Sequence, residues 1–155
     1  MIRPAMPADA AAITDIWNAV IRDTTITFNP TEMTEGEVSA LIAKDTLVLE
    51  EDGQTLGFVR FFPFRAGEGY KYTVEHTIML HPDARGRGAG RALLTALSEM
   101  AKAQGTRTMI AGCSGESPAA IRFHTACGFQ TVATLPEVGF KFGRWIDLVL
   151  MQKRL

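Results

Sequence analysis

The sequence predicts a mixed α/β domain, with a mostly antiparallel central sheet flanked by helices. Three observations carry this reading. Ile13, Ile16, Trp17, Val20 and Ile21 recur at helical spacing and make one apolar stripe. Tyr72 to Leu80 alternates at strand period instead, with Val74, His76, Ile78 and Leu80 on one face and Glu75, Thr77 and Met79 on the other. The elements run strand, two helices, three strands, helix, strand, helix, two strands. That order departs from the regular alternation of a doubly wound parallel sheet.

Taken in turn, Met1 to Arg3 starts an edge strand before Pro4. After the first helix, β-branched residues between Thr24 and Asn29 predict an extended loop that Pro30 ends. Thr34 to Lys44 reads as a second, shorter helix, with Thr34 as N-cap and Glu37 three residues on. Thr46–Glu51 and Leu56–Phe62 flank Glu51-Asp52-Gly53-Gln54 and predict a hairpin. Pro63 to Gly69 is a loop, and Pro82 closes the alternating strand. Beyond the glycines at 86, 88 and 90, Leu93, Leu94, Leu97, Met100 and Ala101 stripe a strong helix that Gly105 stops. Thr108 to Ala111 is a short strand. Ser117-Pro118 is an N-cap followed by a first-turn proline, and Gly128 ends that helix. Gln130–Leu135 and Trp145–Gln152 close the chain as two strands around a Gly-rich turn.

With 155 residues and no repeat or linker, the chain reads as one domain, 1–155. Hydrophobic residues make up 46% and charged residues 21%, which excludes a disordered chain. Sixteen basic against seventeen acidic residues leave a net charge of -1. No global field attracts nucleic acid or an anionic membrane, and neither is expected as a partner. Cys113 and Cys127 form no C-x-x-C pair, so buried thiols are expected, without a disulfide or a metal site. No leader-like segment opens the chain, and no apolar run approaches the roughly 18 residues of a membrane span, so the cytoplasm is the expected location.

Arg85-Gly86-Arg87-Gly88-Ala89-Gly90 lies between a strand and a helix, with Arg91 next. Glycines there permit unusual backbone angles, and a helix start offers free amides and a positive dipole end. The pattern points to phosphate. A Walker loop needs Gly-Lys-Ser/Thr after the glycines, and that is absent. A Rossmann site needs another glycine register in an N-terminal unit. R-x-x-G-x-G after a strand resembles instead the pyrophosphate-binding signature of the GNAT superfamily of acyl-CoA-dependent N-acetyltransferases. The run from Ser117 to the Gly128-Phe129 pair is similar to that superfamily's late helix.

The resemblance narrows along the chain. Thr24–Phe28, Tyr70–Thr77 and Gly139–Asp147 resemble segments of the phosphinothricin and methionine sulfoximine N-acetyltransferases. With the Gly-rich loop these cover nearly the whole chain. The resemblance implies a GNAT-type fold, acetyl-CoA as cosubstrate, a small amino acid substrate acetylated at its α-amine, and a homodimer. Residues 85 to 91 are implied to hold the pyrophosphate, and the backbone of Ile78, Met79 and Leu80 the pantetheine. Ser117 stands where relatives often carry an Asn toward the cofactor, and its hydroxyl has a shorter reach.

Glu75 is the acid–base candidate. It sits mid-strand among apolar neighbours that raise a carboxyl pKa, and the resembled family carries its base in this motif. His76 points the other way and is the weaker candidate. His124 occupies the position of a Tyr that protonates the departing thiolate in many superfamily members. Arg65, Lys71 and Arg144 are the candidate cations for a substrate carboxylate, and Phe28 and Trp145 the candidate pocket walls. Without a Cys or Ser beside an evident base, direct transfer is expected, although Cys113 near a strand end stays open as an acyl carrier. The alternatives are acetylation of a protein N-terminus or polyamine, and a non-catalytic acyl-CoA sensor.

Overall fold

One sheet divides two buried clusters, and the strand alternation decides which residue joins which. The computed structural model describes Met1 to Leu155. Its strands are β1 (Ile2–Pro4), β2 (Thr46–Glu51), β3 (Gln54–Pro63), β4 (Thr73–Leu80), β5 (Thr108–Ser114), β6 (Gln130–Lys141) and β7 (Arg144–Arg154). The helices are α1 (Ala10–Asp23), α2 (Glu35–Leu41), α3 (Ala89–Ala103) and α4 (Pro118–Ala126). The seven strands lie in the order β1-β2-β3-β4-β5-β7-β6. Only β4 and β5 pair in parallel.

Val48, Phe58 and Met79 face α1 and α2, where they meet Ile13, Ile16, Val20 and Val38. Trp17 packs on Phe58 with ring centroids 5.1 Å apart. The alternate residues Leu47, Val59 and Val74 face Leu93, Leu94 and Leu97 of α3. Thr34 caps α2 by accepting from the Glu37 amide at 3.1 Å.

Two hairpins turn on two residues each. Asp52 and Gly53 have φ of 50° and 76°, and Phe142 and Gly143 have φ of 51° and 73°. Positive φ at both positions matches the right-handed twist of the flanking strands. The second turn pairs Lys141 with Arg144 and Phe140 with Trp145.

Strands β3 and β7 extend one or two residues beyond expectation at each end, and three larger differences have a physical reason. The second helix ends at Leu41 rather than Lys44, because the chain turns at Asp45 (φ 53°) into β2. β5 runs on to Ser114, since β7 pairs with it along its full length. The segment expected as a Gly-rich turn is mostly strand, as β6 reaches Lys141. On this outermost strand a register shift between Leu135 and Gly139 absorbs Pro136, and another between Thr131 and Ala133 passes over Val132.

The feature that makes a site is a parting of strands. β4 pairs with β5 only from Thr73 to Glu75, against Thr108 to Ile110. Beyond Glu75 the two strands diverge, and the edge of β4 toward Leu80 faces no strand.

Candidate active site

A cavity of about 820 Å³ fills the gap between β4 and β5. Its walls are β4 from Glu75 to Leu80, β5 from Ala111 to Ser114, the Gly-rich turn, α4 and the loop around Phe28. Ile78, Met79 and Leu80 line it, leaving main-chain groups beside it for an extended amide ligand.

At one end lies the start of α3. Gly88 is its N-cap with φ 78°, and no side chain caps the first amides. Gly86 has φ 73°, and a Cβ built on either glycine meets nothing within 4 Å. The amides from Ala89 onward therefore open to an anion, helped by the helix dipole. Gly90 is different: its Cβ would lie 3.1 Å from the Phe123 ring, so it is small to let α3 approach α4. Arg85 and Arg91 line the cavity. Arg91 donates to the Ala126 carbonyl at 2.6 Å. Arg87 does not line the cavity; it turns to the β2–β3 hairpin and pairs with Glu51 at 3.0 Å. Ser117 lines the wall while its hydroxyl accepts from the Ala120 amide at 3.3 Å, so N-capping already occupies it.

Glu75 lies where the strands part. Its carboxyl is directed toward Gly112, whose added Cβ would lie 3.8 Å from Oε2. Burial without a cationic neighbour raises its pKa above the usual carboxylate range. His76, on the other face, is buried, and desolvation first, then His124, pulls its pKa down to about 3.

The two imidazoles meet Nε2 to Nε2 at 3.1 Å. His124 Nδ1 lies 2.7 Å from the Ala120 carbonyl, which only accepts. Nδ1 of His124 is therefore protonated, and its Nε2 accepts from His76 Nε2–H. Burial holds the His124 ring neutral. Cys113 Sγ stands 3.4 Å from His124 Nδ1, and burial pushes the thiol up to about 11. A thiol so far from ionising is a poor nucleophile at neutral pH, which argues against an acyl-cysteine route.

A tethered loop forms the opposite wall. Lys141, 2% exposed, donates to the carbonyls of Thr24 at 2.6 Å and Thr27 at 2.9 Å. The Phe28 ring lies against Gly139, where a Cβ would come within 2.5 Å. Thr25 donates to Glu116 at 2.9 Å, and Arg144 grips the same carboxylate through two bonds of 2.7 and 2.8 Å.

Phe28 lines the cavity, whereas its candidate companions lie outside the lining. Trp145 is 63% exposed and packs at a tilt against Phe140 outside the cavity, because the two-residue turn points Lys141 inward and Trp145 outward. Arg144 stands at the rim, engaged by Glu116. Arg65 and Lys71 line a second cavity at the start of β4. Trp17, Lys141 and Glu116 escaped the sequence reading. Trp17 lies within the apolar stripe of α1 and reads as core. Nothing local marks the other two.

The chain matches the model of the acetyltransferase (GNAT) family over residues 13–129. It is 41% identical to an L-methionine sulfoximine/L-methionine sulfone acetyltransferase of Salmonella typhimurium, covering 99% of this chain and 94% of that protein. It is 38% identical to a phosphinothricin N-acetyltransferase of Alcaligenes faecalis, covering 99% and 82%. A phosphinothricin acetyltransferase of Sinorhizobium meliloti, solved with acetyl-CoA, superposes with a TM-score of 0.94 at 34% identity, covering 100% of this chain and 88% of that one.

Proposed function

The chain belongs to the acetyltransferase (GNAT) family and is an acetyl-CoA-dependent N-acetyltransferase, and from that premise we propose that it acetylates the α-amine of a small amino acid analogue. Methionine sulfoximine, methionine sulfone and phosphinothricin are the substrate types its relatives name. One observation carries the chemistry: an unpaired carboxyl, Glu75, raised by burial, at the point where β4 and β5 part.

The parted strands fit an acyl-CoA. The free amides after Gly88 take the pyrophosphate, with Arg85 and Arg91 beside them, and the open edge of β4 takes the pantetheine amides. Glu75 accepts a proton from the amine as that amine attacks the thioester carbonyl. As the thioester C–S bond breaks, His124, neutral on the same wall, offers its Nδ1–H to the departing sulfur beside the Ala120 carbonyl, and the thiolate takes its proton from solvent while Glu75 returns its own to water. Transfer is direct and asks for no metal. For the substrate carboxylate, Arg144 is the candidate within reach of the Phe28 loop. It would exchange the Glu116 carboxylate for that of the ligand, which its planar fork can grip in the same way.

A thiol-release assay over these amino acids tests the reading. Amidating or esterifying the substrate carboxylate is expected to lower kcat/KM roughly tenfold to a hundredfold, the loss of one charge-assisted hydrogen bond. Equal turnover of simple amines without a carboxylate would overturn the substrate class and leave the acetyltransferase activity standing.

A homodimer belongs to the same proposal. Val138, Phe140, Phe142 and Trp145 leave more than half of their surfaces exposed along the β6–β7 hairpin, at 57%, 53%, 54% and 63%. An apolar strip of this kind marks an interaction face, and a second copy of the chain is its proposed occupant. Sedimentation should find a dimer that Phe140→Asp converts to monomer; a monomeric parent protein would refute it. A cytoplasmic location is proposed as well, since two free thiols suit a reducing compartment. No helix is long and apolar enough to cross a membrane.

A further inference from the structure

The second cavity holds a half-buried cation that the fold leaves without an ion pair. It occupies about 540 Å³ where β3 runs on past the start of β2. Arg60 of β3 reaches into it from the face shared with Phe58. Its Nε is buried with no hydrogen-bond partner, and the guanidinium enters none of the ion pairs of the molecule. The Phe62 ring lies 4.9 Å below it, and the Asp45 carboxylate acts on its charge without forming an ion pair. Lys44, Arg65 and Lys71 line the same space. The single carboxylate among the lining residues is Asp45, which accepts from Gln104 Nε2 at 3.1 Å. Lys71 has Glu68 at 3.6 Å, but on the exposed side.

Four cations against one carboxylate, with one guanidinium half-buried and in no ion pair, is an arrangement that a bound anion would complete. A buried charge is ordinarily paired, because leaving water without a partner is costly. We propose that this cavity is a binding site for a small polyanion, a phosphate or an oligocarboxylate, held by the Arg60 guanidinium and the ammonium of Lys44. The planar fork of Arg60 suits two oxygens of either group. The site is separate from that of acetyl-CoA. Gln104 and Thr106 of its lining follow the C-terminal end of α3, whereas the pyrophosphate turn precedes its N-terminal end. Fifteen helical residues separate the two, a length of about 22 Å.

The test is thermal unfolding of the full chain, saturated with acetyl-CoA so that the pyrophosphate turn is already filled. Inorganic phosphate and citrate are titrated separately, against sodium chloride of equal ionic strength. At least one is expected to raise the unfolding temperature saturably, and which one does so tells the phosphate source from the carboxylate source. Arg60→Met should weaken that anion at least tenfold, and Lys44→Ala by a smaller factor. Without the anion, Arg60→Met should be no less stable than the parent, because it removes a half-buried charge that no ion pair compensates. Its acetyl transfer should be unchanged. The proposal fails if neither anion stabilises beyond chloride, or if Arg60→Met responds as the parent does. If Arg60→Met does not fold, Lys44→Ala decides alone: an unchanged anion response in it refutes the site.

Discussion

Glu75→Gln is expected to lower turnover by roughly 10²–10⁴-fold, the usual cost of a lost general base. The amide keeps the size of the carboxyl but takes up no proton. Acetyl-CoA affinity, measured by calorimetry, should hold, because the pyrophosphate turn and the β4 edge lie further along the cavity. The pH profile carries a second sign. Burial raises the folded-state pKa of Glu75 above its unfolded value, and activity should climb with pH through that raised value and lose this limb in the variant. The same shift makes ionised Glu75 a burden on the fold. Its protonated form is favoured in the folded state, so stability falls as pH rises from the unfolded pKa through the folded one. At neutral pH Glu75→Gln should therefore be at least as stable as the parent. Near-full turnover would make Glu75 structural. Lost activity with a lowered unfolding temperature would point to damage to the fold.

Gly88→Val tests the other end of the cavity. Gly88 holds φ 78° at the N-cap of α3, in open space. A valine meets no steric neighbour there, so the effect runs through the backbone. The left-handed conformation costs an L-residue about 1–2 kcal/mol, and a β-branched one is a genuine outlier there. The chain relieves this by rotating the turn, which swings the Ala89 and Gly90 amides off their common aim. Acetyl-CoA affinity is expected to fall roughly tenfold to a hundredfold, each factor of ten being about 1.4 kcal/mol. α3 itself should persist, since its buried Leu93, Leu94 and Leu97 are untouched. Unchanged affinity in a folded Gly88→Val protein would remove the pyrophosphate assignment. Gly90→Ala acts differently, pressing on Phe123 and loosening α3 against α4.

The local rules written in the sequence were sufficient for the elements and for which face of each element a side chain takes. The stripe of α1 buries as its 3.6-residue spacing requires, and period two puts Glu75 and His76 on opposite faces of β4. Thr34, Asp52-Gly53, Ser117-Pro118 and Gly88 act within a few residues of themselves, so their caps and turns are legible without the fold. Tertiary structure decided what meets across the chain. His124 finds His76 at 48 residues' separation, Lys141 finds the Thr24 carbonyl at 117, and Arg144 finds Glu116 at 28. Arg65, Lys71 and Arg144 look alike in sequence as free cations, yet two line the second cavity and one is clasped at the rim of the first. An ion pair between exposed side chains imposes no periodicity on the chain around it. Which charge meets which is settled by the loops that the sheet order brings together, and the parting of β4 from β5 is itself a property of that order.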